Sequence, residues 1–243
     1  MSINANTQVL CVNDIEVQVV RKPIKNLHLG VYPPHGRVRV AAPLAVSDEA
    51  VRLAVIGKLG WIKQHQARFQ SQPRQSAREM VNGESHYFLG RRYRLHVVVA
   101  AGPQSVHVRH AVLEMRVRQG ADEGACHRLL QRWYRQHLHE LAAPLLVQWQ
   151  VRIGVQATAW GIKQMKTRWG GCNPAAGRIW LNLELAKKPA QCLEYILVHE
   201  LIHLIERHHN ERFVALMDEH LPHWRAVRDV LNAAPLGHSS WAY

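Results

Sequence analysis

Alternating apolar and polar positions dominate the first forty residues of the chain. Short runs rich in β-branched residues are separated by turn-forming residues, which is typical of strands joined by tight turns. The predicted strands are Val9–Val12, Ile15–Val20, Leu27–Tyr32 and Arg37–Ala41. Ser47 then suits the N-cap of a helix. Because apolar residues recur after it with helical spacing, we expect one helix from Ser47 to about Phe69.

The second half of the pattern changes from strands to helices. A second group of strands is predicted at Tyr87–Leu89, Arg92–Val99 and Ser105–Val117. A long helix follows from Cys126 to about Val151, with Pro144 as a site for a kink. Two further strands, Gln156–Trp160 and Arg178–Leu183, enclose a predicted loop at 170–177, and helices continue from Pro189.

This order of elements defines the expected fold class. Strands come mostly first and helices mostly second, which favours an α+β fold with partly segregated elements. We expect a β-rich portion at residues 1–120, packed on a helical portion at residues 121–243 that carries the candidate chemistry described below. We detect no internal repeat in the sequence itself.

Composition limits the classes of protein to consider. The 243 residues are 47% hydrophobic and 20% charged, the balance of a folded globular protein. No apolar run approaches the roughly 20 residues needed to span a bilayer, and the polar N-terminus does not resemble a signal peptide. The four cysteines form no C-x-x-C pair, so we expect free thiols. These features predict a cytoplasmic protein without a membrane partner; they leave the oligomeric state open.

The chain is strongly basic, with a formal net charge of +13 from 31 Lys and Arg against 18 Asp and Glu. Such a charge favours anionic partners, although it serves general solubility equally well. Basic residues alternate with aromatic ones at 92–94 and at 132–135. We interpret these two stretches as faces of a strand and a helix rather than as a nucleic-acid site.

The chemistry of the chain is concentrated at His199-Glu200-Leu201-Ile202-His203. Histidines four residues apart lie on one face of a helix and can bind one metal ion. Glu200 is rotated about 100° from His199, so it can act as a general base on metal-bound water without being a ligand. The surrounding residues are apolar, and burying these groups without partners would cost about 2–7 kcal/mol each. We therefore prefer a zinc site to core histidines bonded to backbone carbonyls.

A catalytic zinc ion needs a third protein ligand and one open position. His209 follows the helix, and Asn210 beside it suits the N-cap of another helix, so the chain can turn and bring His209 back. His208 is the neighbouring alternative. A carboxylate from the next helix, such as Glu219, is the other alternative.

Several motifs together resemble the YgjP-like metal-dependent hydrolases, relatives of the SprT-like and zincin metallopeptidases. The family pattern K-S-R-W-G-S-C corresponds to residues 166–172, and its strand ending in L-N lies within 179–185. Its patterns H-E-L-x-H-L, N-H-S-x-x-F-W and M-P-D-W correspond to 199–204, 208–214 and 221–224, respectively. Landmarks at Pro43, at 61–62 and at 89–95 extend the resemblance to about residues 15–235. The chain departs from these patterns at Thr167, Gly171, His208, Asn210, Val214, Leu221 and His223.

This resemblance implies a function and several roles. It implies a zincin-like catalytic portion that holds one zinc ion per chain, with His199, His203 and His209 as ligands and Glu200 as the base. The implied reaction is cleavage of peptide bonds, and a nucleoside triphosphate (UTP-type) pyrophosphatase reaction at the same site is the alternative. The substrate is accordingly a polypeptide or a nucleotide. A zinc-stabilised nucleic-acid-binding module without catalysis is a third hypothesis.

The stretch at 166–172 is the most distinctive part of the resemblance outside the zinc helix. Lys166 and Arg168 can bind a carboxylate or phosphate of the substrate. Gly170 and Gly171 can allow backbone N–H groups to approach an oxyanion. The alternative is structural, with Trp169 packed on the core and Arg168 in an ion pair.

Overall fold

A computed structural model describes residues 7–32, 36–71, 78–165 and 168–233. The chain divides into two compact units, Met1–Arg74 and Gln75–Tyr243. The sequence predicted a boundary near residue 120 instead. The difference concerns the second group of strands, which belongs to the second unit because it shares a core with the long helix that follows it.

The first unit is a four-stranded sheet with two helices. Its elements are β1 (Thr7–Val12), β2 (Ile15–Lys22), β3 (His28–Tyr32), β4 (Arg37–Pro43), α1 (Asp48–Ile56) and α2 (Leu59–Ser71). The strand order is β1-β2-β4-β3, with β2 and β4 parallel and the other pairs antiparallel. Ser47 accepts a hydrogen bond from the Ala50 N–H, as expected for an N-cap. The single helix predicted here is wrong, because Gly57, a poor helix former, caps α1 and separates it from α2.

The second unit begins with another four-stranded sheet and its longest helix. The elements are β5 (Ser85–Phe88), β6 (Arg91–Val99), β7 (Ser105–Arg109), β8 (Val112–Val117) and α3 (Glu123–Ile153). The predicted strand at 105–117 is split where His110 adopts a positive φ of 53°. α3 continues through Pro144 as one helix.

The two four-stranded sheets have the same topology. The second has the order β5-β6-β8-β7, again with only the central pair parallel. The strands of the first sheet begin at residues 7, 15, 28 and 37 and those of the second at 85, 91, 105 and 112, so corresponding strands are 75 to 78 residues apart. The first hairpin of each contains a residue with positive φ, Asn13 and Leu89. The fold therefore contains a structural repeat that the sequence pattern did not reveal.

The remaining elements surround the H-E-x-x-H motif. They are β9 (Ala159–Lys163), β10 (Gly170–Asn173), β11 (Arg178–Asn182), α4 (Ala190–Ile202), α5 (Glu211–His220) and α6 (Trp224–Ala233). In the part of the chain that the structure describes, β10 is an edge strand of the sheet β10-β11-β9. The predicted loop at 170–177 is therefore wrong for its first four residues, which pair with β11.

The predicted α+β class is confirmed, with strands concentrated early and helices late in the chain. The core of the second unit joins Leu95 and Met115 of the sheet, Leu138 of α3 and Leu197 of α4. The four cysteines are free thiols, as predicted. Among the described residues, no helix is long and apolar enough to cross a membrane.

Candidate active site

The site is built on α4, a helix that is buried on nearly all sides. Apolar residues cover most of its surface, and the buried ones are Cys192, Leu193, Tyr195, Ile196, Leu197, Val198, Leu201 and Ile202. A helix that is hydrophobic all round belongs in a core, where its polar side chains need partners. His199 lies on its last turn and His203 is its C-cap residue, so the two imidazoles lie one turn apart.

Three histidine side chains converge at the end of α4. The Nε2 atom of His199 lies 3.2 Å from Nε2 of His203 and 3.0 Å from Nε2 of His209. Within the described residues, these three form the one group of histidine, cysteine or carboxylate side chains with the spacing of a metal site. The sequence alternatives His208 and Glu219 are not in this group.

The position of His209 follows from local structure after α4. Asn210 is the N-cap of α5 and accepts a hydrogen bond from the Phe213 N–H at 3.0 Å, as the sequence predicted. This cap turns the chain immediately after His209. The buried ring of Phe213 then packs against all three imidazoles, with centroid distances of 4.9, 4.7 and 4.8 Å to His199, His203 and His209.

The protonation of the imidazoles suits metal binding. Nδ1 of His203 lies 3.0 Å from the carbonyl oxygen of Glu206. If Nδ1 carries the proton and donates it to this carbonyl, the lone pair of Nε2 faces the other two rings. Burial, and the nearby His203 and His209, lower the pKa of His199 to about 3. Burial also lowers the pKa of His203, so both rings are neutral near pH 7.

Glu200 is a buried carboxyl group in the wall of the same site. It is 5% exposed, and burial raises its pKa to about 8, while the positive charge of Arg168 acts in the opposite direction. A Cβ atom on Gly170 would lie 2.8 Å from Cγ and 2.9 Å from Cδ of Glu200, and closer still to Oε1. Gly170 therefore leaves the space that the carboxyl group occupies.

The histidines and Glu200 face a cavity of about 870 Å³. Its walls include β10, the start of the 3-10 helix Pro174–Ala176, α4 and α6. Three arginines also line it, namely Arg168, Arg207 and Arg228. Arg228 bonds Asp229 at 3.2 Å, whereas Arg168 and Arg207 have no carboxylate within 4.0 Å in the described part of the chain. The cavity can therefore accept a substrate with negative charge.

Three of the four predicted substrate residues line the cavity with the histidines, namely Arg168, Gly170 and Gly171. Gly170 has a packing reason to be glycine, since it accommodates Glu200, whereas a Cβ on Gly171 would meet nothing within 4 Å. Lys166 lies outside the described residues.

Asn182 is a polar residue that the sequence analysis did not assign to the site. It is 4% exposed, and its amide nitrogen donates to the carbonyl oxygens of Met165 and Arg168 at 3.0 and 2.6 Å. Its side-chain oxygen accepts from the N–H of Met165 and of Glu184. Asn182 thus fixes both ends of the segment that leads to Arg168. A buried asparagine at the end of an apolar strand is the signal that could have identified it.

Three converging histidines beside a buried glutamate, at the end of a helix that faces an open cavity, are the arrangement of a metallohydrolase site. Comparison with known families specifies the class. The model described as YgjP-like, metallopeptidase domain matches residues 25–234. The chain belongs to this family, as its motifs predicted.

Two further comparisons add little to this assignment. A search of curated proteins found no match. Among solved structures, the chain is similar to the metallopeptidase zymogen abylysin of Pyrococcus abyssi. The two share 22% sequence identity and a TM-score of 0.35 over 37% of this chain and 90% of that one.

Proposed function

We propose that the protein is a zinc-dependent hydrolase that cleaves peptide bonds in extended polypeptide segments. One observation carries the proposal: three imidazole nitrogens converge beside the buried Glu200, in a cavity bordered by the edge strand β10. Family membership supports the metallopeptidase class. The zinc ion, the roles of the residues and the substrate are our inference.

The side chains present fit one zinc ion. Three nitrogen donors with a free direction toward a cavity match the ligand set of catalytic zinc sites, which keep one position open. Nitrogen atoms within about 3 Å of one another need either a shared proton or a cation between them, and one cation can bind the lone pairs of all three imidazoles at once. His199, His203 and His209 would hold the ion.

The open edge of β10 supports a polypeptide substrate. The Asn182 N–H donates to the Trp169 carbonyl at 2.9 Å, so Trp169 and Asn182 are a hydrogen-bonded pair at the start of the β10–β11 ladder. Along antiparallel strands, such pairs alternate with pairs whose backbone groups do not bond each other. The backbone groups of Gly170 and Cys172 consequently point away from β11, toward the free edge. An extended peptide can pair with them as an added strand, which would hold the chain along the cavity wall.

The chemical step follows from the groups around this peptide. A zinc ion held by the three histidines would supply Lewis acidity, which polarises a carbonyl oxygen and lowers the pKa of water so that it can be deprotonated near neutral pH. Glu200 accepts a proton from the attacking water and returns it to the leaving amine nitrogen as the C–N bond breaks. Burial raises the pKa of Glu200 to about 8, and Arg168 acts against this rise, toward the ionised carboxylate that the first step requires. Glu200 itself is shielded from bulk solvent, since only 5% of it is exposed.

Hydrolysis of nucleoside triphosphates is the second candidate. The arginines that line the cavity favour it, because guanidinium groups bind phosphates by charge-assisted hydrogen bonds. In this reaction the same water would attack phosphorus, with Arg168 and Lys166 on the phosphates. We rank it below peptide hydrolysis because phosphates make no use of the strand edge.

Assays of Glu200→Gln test the proposal. The variant should retain zinc but lose about 10²–10⁴-fold of the activity on a labelled, unfolded polypeptide, the usual worth of acid–base catalysis. Glu219→Gln is the matched control and should behave as wild type. UTP is assayed in parallel. Hydrolysis of UTP without polypeptide cleavage would favour the second candidate, and full activity of Glu200→Gln would contradict both.

A further inference from the structure

The sheet β5-β6-β8-β7 has one apolar face and one basic face. The apolar face belongs to the core that includes α3. Alternation along the strands turns the other residues to the opposite side. We call this side the basic face and define it by Arg92, Arg94 and His96 of β6, His107 and Arg109 of β7, and Glu114 and Arg116 of β8. All of these except the half-buried Glu114 are exposed.

The strand register places these side chains next to one another. Arg94 of β6 and Arg109 of β7 both lie next to Val112 of β8, the strand between them. His96 of β6 and His107 of β7 likewise lie on either side of Glu114. Cross-strand neighbours on one face have Cβ atoms about 4.5–5.5 Å apart. Arginine and histidine side chains from three strands therefore form a continuous surface rather than separate charges.

The positive charge of the basic face is only partly neutralised. Glu114, its one carboxylate, accepts a hydrogen bond from Arg116 at 3.1 Å and lies 4.0 Å from Arg109. The hydrogen bond from Arg116 is the main reason why the pKa of Glu114 is lowered. Within the described residues, no carboxylate lies within 4.0 Å of Arg92 or Arg94; Arg94 donates to the carbonyl of Gly83 at 2.7 Å.

The repeat in the fold shows that this charge is not required by the topology. β2 corresponds to β6, with the positive-φ residues Asn13 and Leu89 at equivalent points of the two hairpins. At the same offset of 76 residues, Glu16 and Gln18 stand where β6 has Arg92 and Arg94. A sheet of this topology is thus built in the same chain without the arginine pair.

The chemistry of the basic face fits a polyphosphate chain better than a protein. Protein interfaces usually have an apolar centre depleted of charge. On this face the apolar and aromatic residues Tyr87, Val98 and Val112 are all half-buried, and Tyr93 is turned to the core. Interfaces with nucleic acid are more polar and strongly positive. Guanidinium and imidazole groups can also bind phosphates and stack on unpaired bases, which are exposed only in single strands.

We propose that the basic face binds single-stranded nucleic acid, RNA or DNA, through its phosphates, which revises the interpretation of residues 92–94 made from the sequence alone. This binding does not depend on the histidine triad, because no residue of the basic face lines the catalytic cavity. The surface gives the protein an anionic partner in addition to the substrate of the cavity.

Fluorescence anisotropy with labelled oligouridylate and oligothymidylate, measured at several salt concentrations, tests the proposal. Each phosphate contact with a single strand contributes about −0.7 to the slope of log K against log salt, so four contacts, one for each arginine of the basic face, predict a slope of about −2.8. Arg92→Gln combined with Arg94→Gln should weaken binding and make the slope shallower, about −1.4. Tighter binding to RNA than to DNA would identify RNA as the ligand, and the reverse result DNA.

The matched control is Arg132→Gln combined with Arg135→Gln, which makes the same charge change at two exposed positions of α3. It should bind as wild type does. If both double variants weakened binding equally, the net charge of the protein alone would account for the binding, and the proposal would be overturned. Binding of poly-glutamate or of duplex DNA as tight as that of the single strand would also overturn it. Circular dichroism and polypeptide hydrolysis should be unchanged in both variants.

Discussion

Replacement of Gly170 by alanine tests whether the position of Glu200 matters for activity. The new Cβ would lie 2.8 Å from Cγ and 2.9 Å from Cδ of the Glu200 side chain. The backbone at Gly170 has no positive φ, so the strand itself can accept alanine. The conflict therefore falls on the end of a side chain, and we expect the Glu200 carboxyl group to move while the fold persists.

The size of the effect follows from these distances. Ordinary contact begins near 3.4 Å, so the carboxyl group must retreat by roughly 0.5–1 Å. Misplacement of a catalytic group by about 1 Å can cost about 100-fold in rate. We expect kcat of Gly170→Ala to fall by roughly 10–100-fold, which corresponds to about 1.4–2.7 kcal/mol in the activation barrier. Zinc content should stay near one ion per chain.

Gly171→Ala provides the matched control, because its Cβ would meet nothing within 4 Å. Both variants and wild type would be compared by kcat and KM on the labelled polypeptide, by zinc content and by melting temperature. We expect a loss of kcat in Gly170→Ala alone, because only its Cβ would meet Glu200. Wild-type kcat in Gly170→Ala would refute it, and so would equal losses in the two variants.

Two further substitutions probe the neighbouring residues. Zinc affinity would be measured by competition with a fluorescent chelator. Loss of a ligand's hydrogen-bond partner typically costs roughly 10–100-fold in metal affinity, and His209→Ala, which removes a ligand itself, should cost more. His208→Ala should leave zinc affinity unchanged. Equal affinities in the two variants would exclude His209 as a ligand. Asn182→Ala removes the partners of part-buried backbone groups of Met165 and Arg168, so urea denaturation should show a loss of about 1–3 kcal/mol in the free energy of unfolding, together with reduced activity. Unchanged stability would show that Asn182 does not hold this segment.

Local pattern was sufficient to predict several parts of the molecule. The alternation of apolar residues identified all four strands of the first sheet, because one face of each strand is buried. The apolar sequence around His199 and His203 identified the buried helix α4. Asn210 was recognisable as an N-cap from its residue type, and this was the basis for preferring His209 to His208.

Features decided by distant contacts were not predictable in this way. The sequence Gly-Gly-Cys-Asn of β10 has low strand propensity, and it is a strand because β11 pairs with it. The separation of α1 from α2 depends on one glycine that a helical pattern tolerates. Arg207 and Arg228 reach the cavity only because the chain after α4 folds back over it. The structural repeat is likewise visible in strand order but not in residue identity.

Titration of the metal-free protein with zinc tests the central claim most directly. Protein stripped with a chelator would receive increasing zinc while hydrolysis of the labelled polypeptide is followed. We predict no activity without zinc and a linear rise that ends at one ion per chain, with no such rise in His203→Ala. Full activity of the stripped protein, or the same rise in His203→Ala, would contradict a catalytic zinc site at His199, His203 and His209.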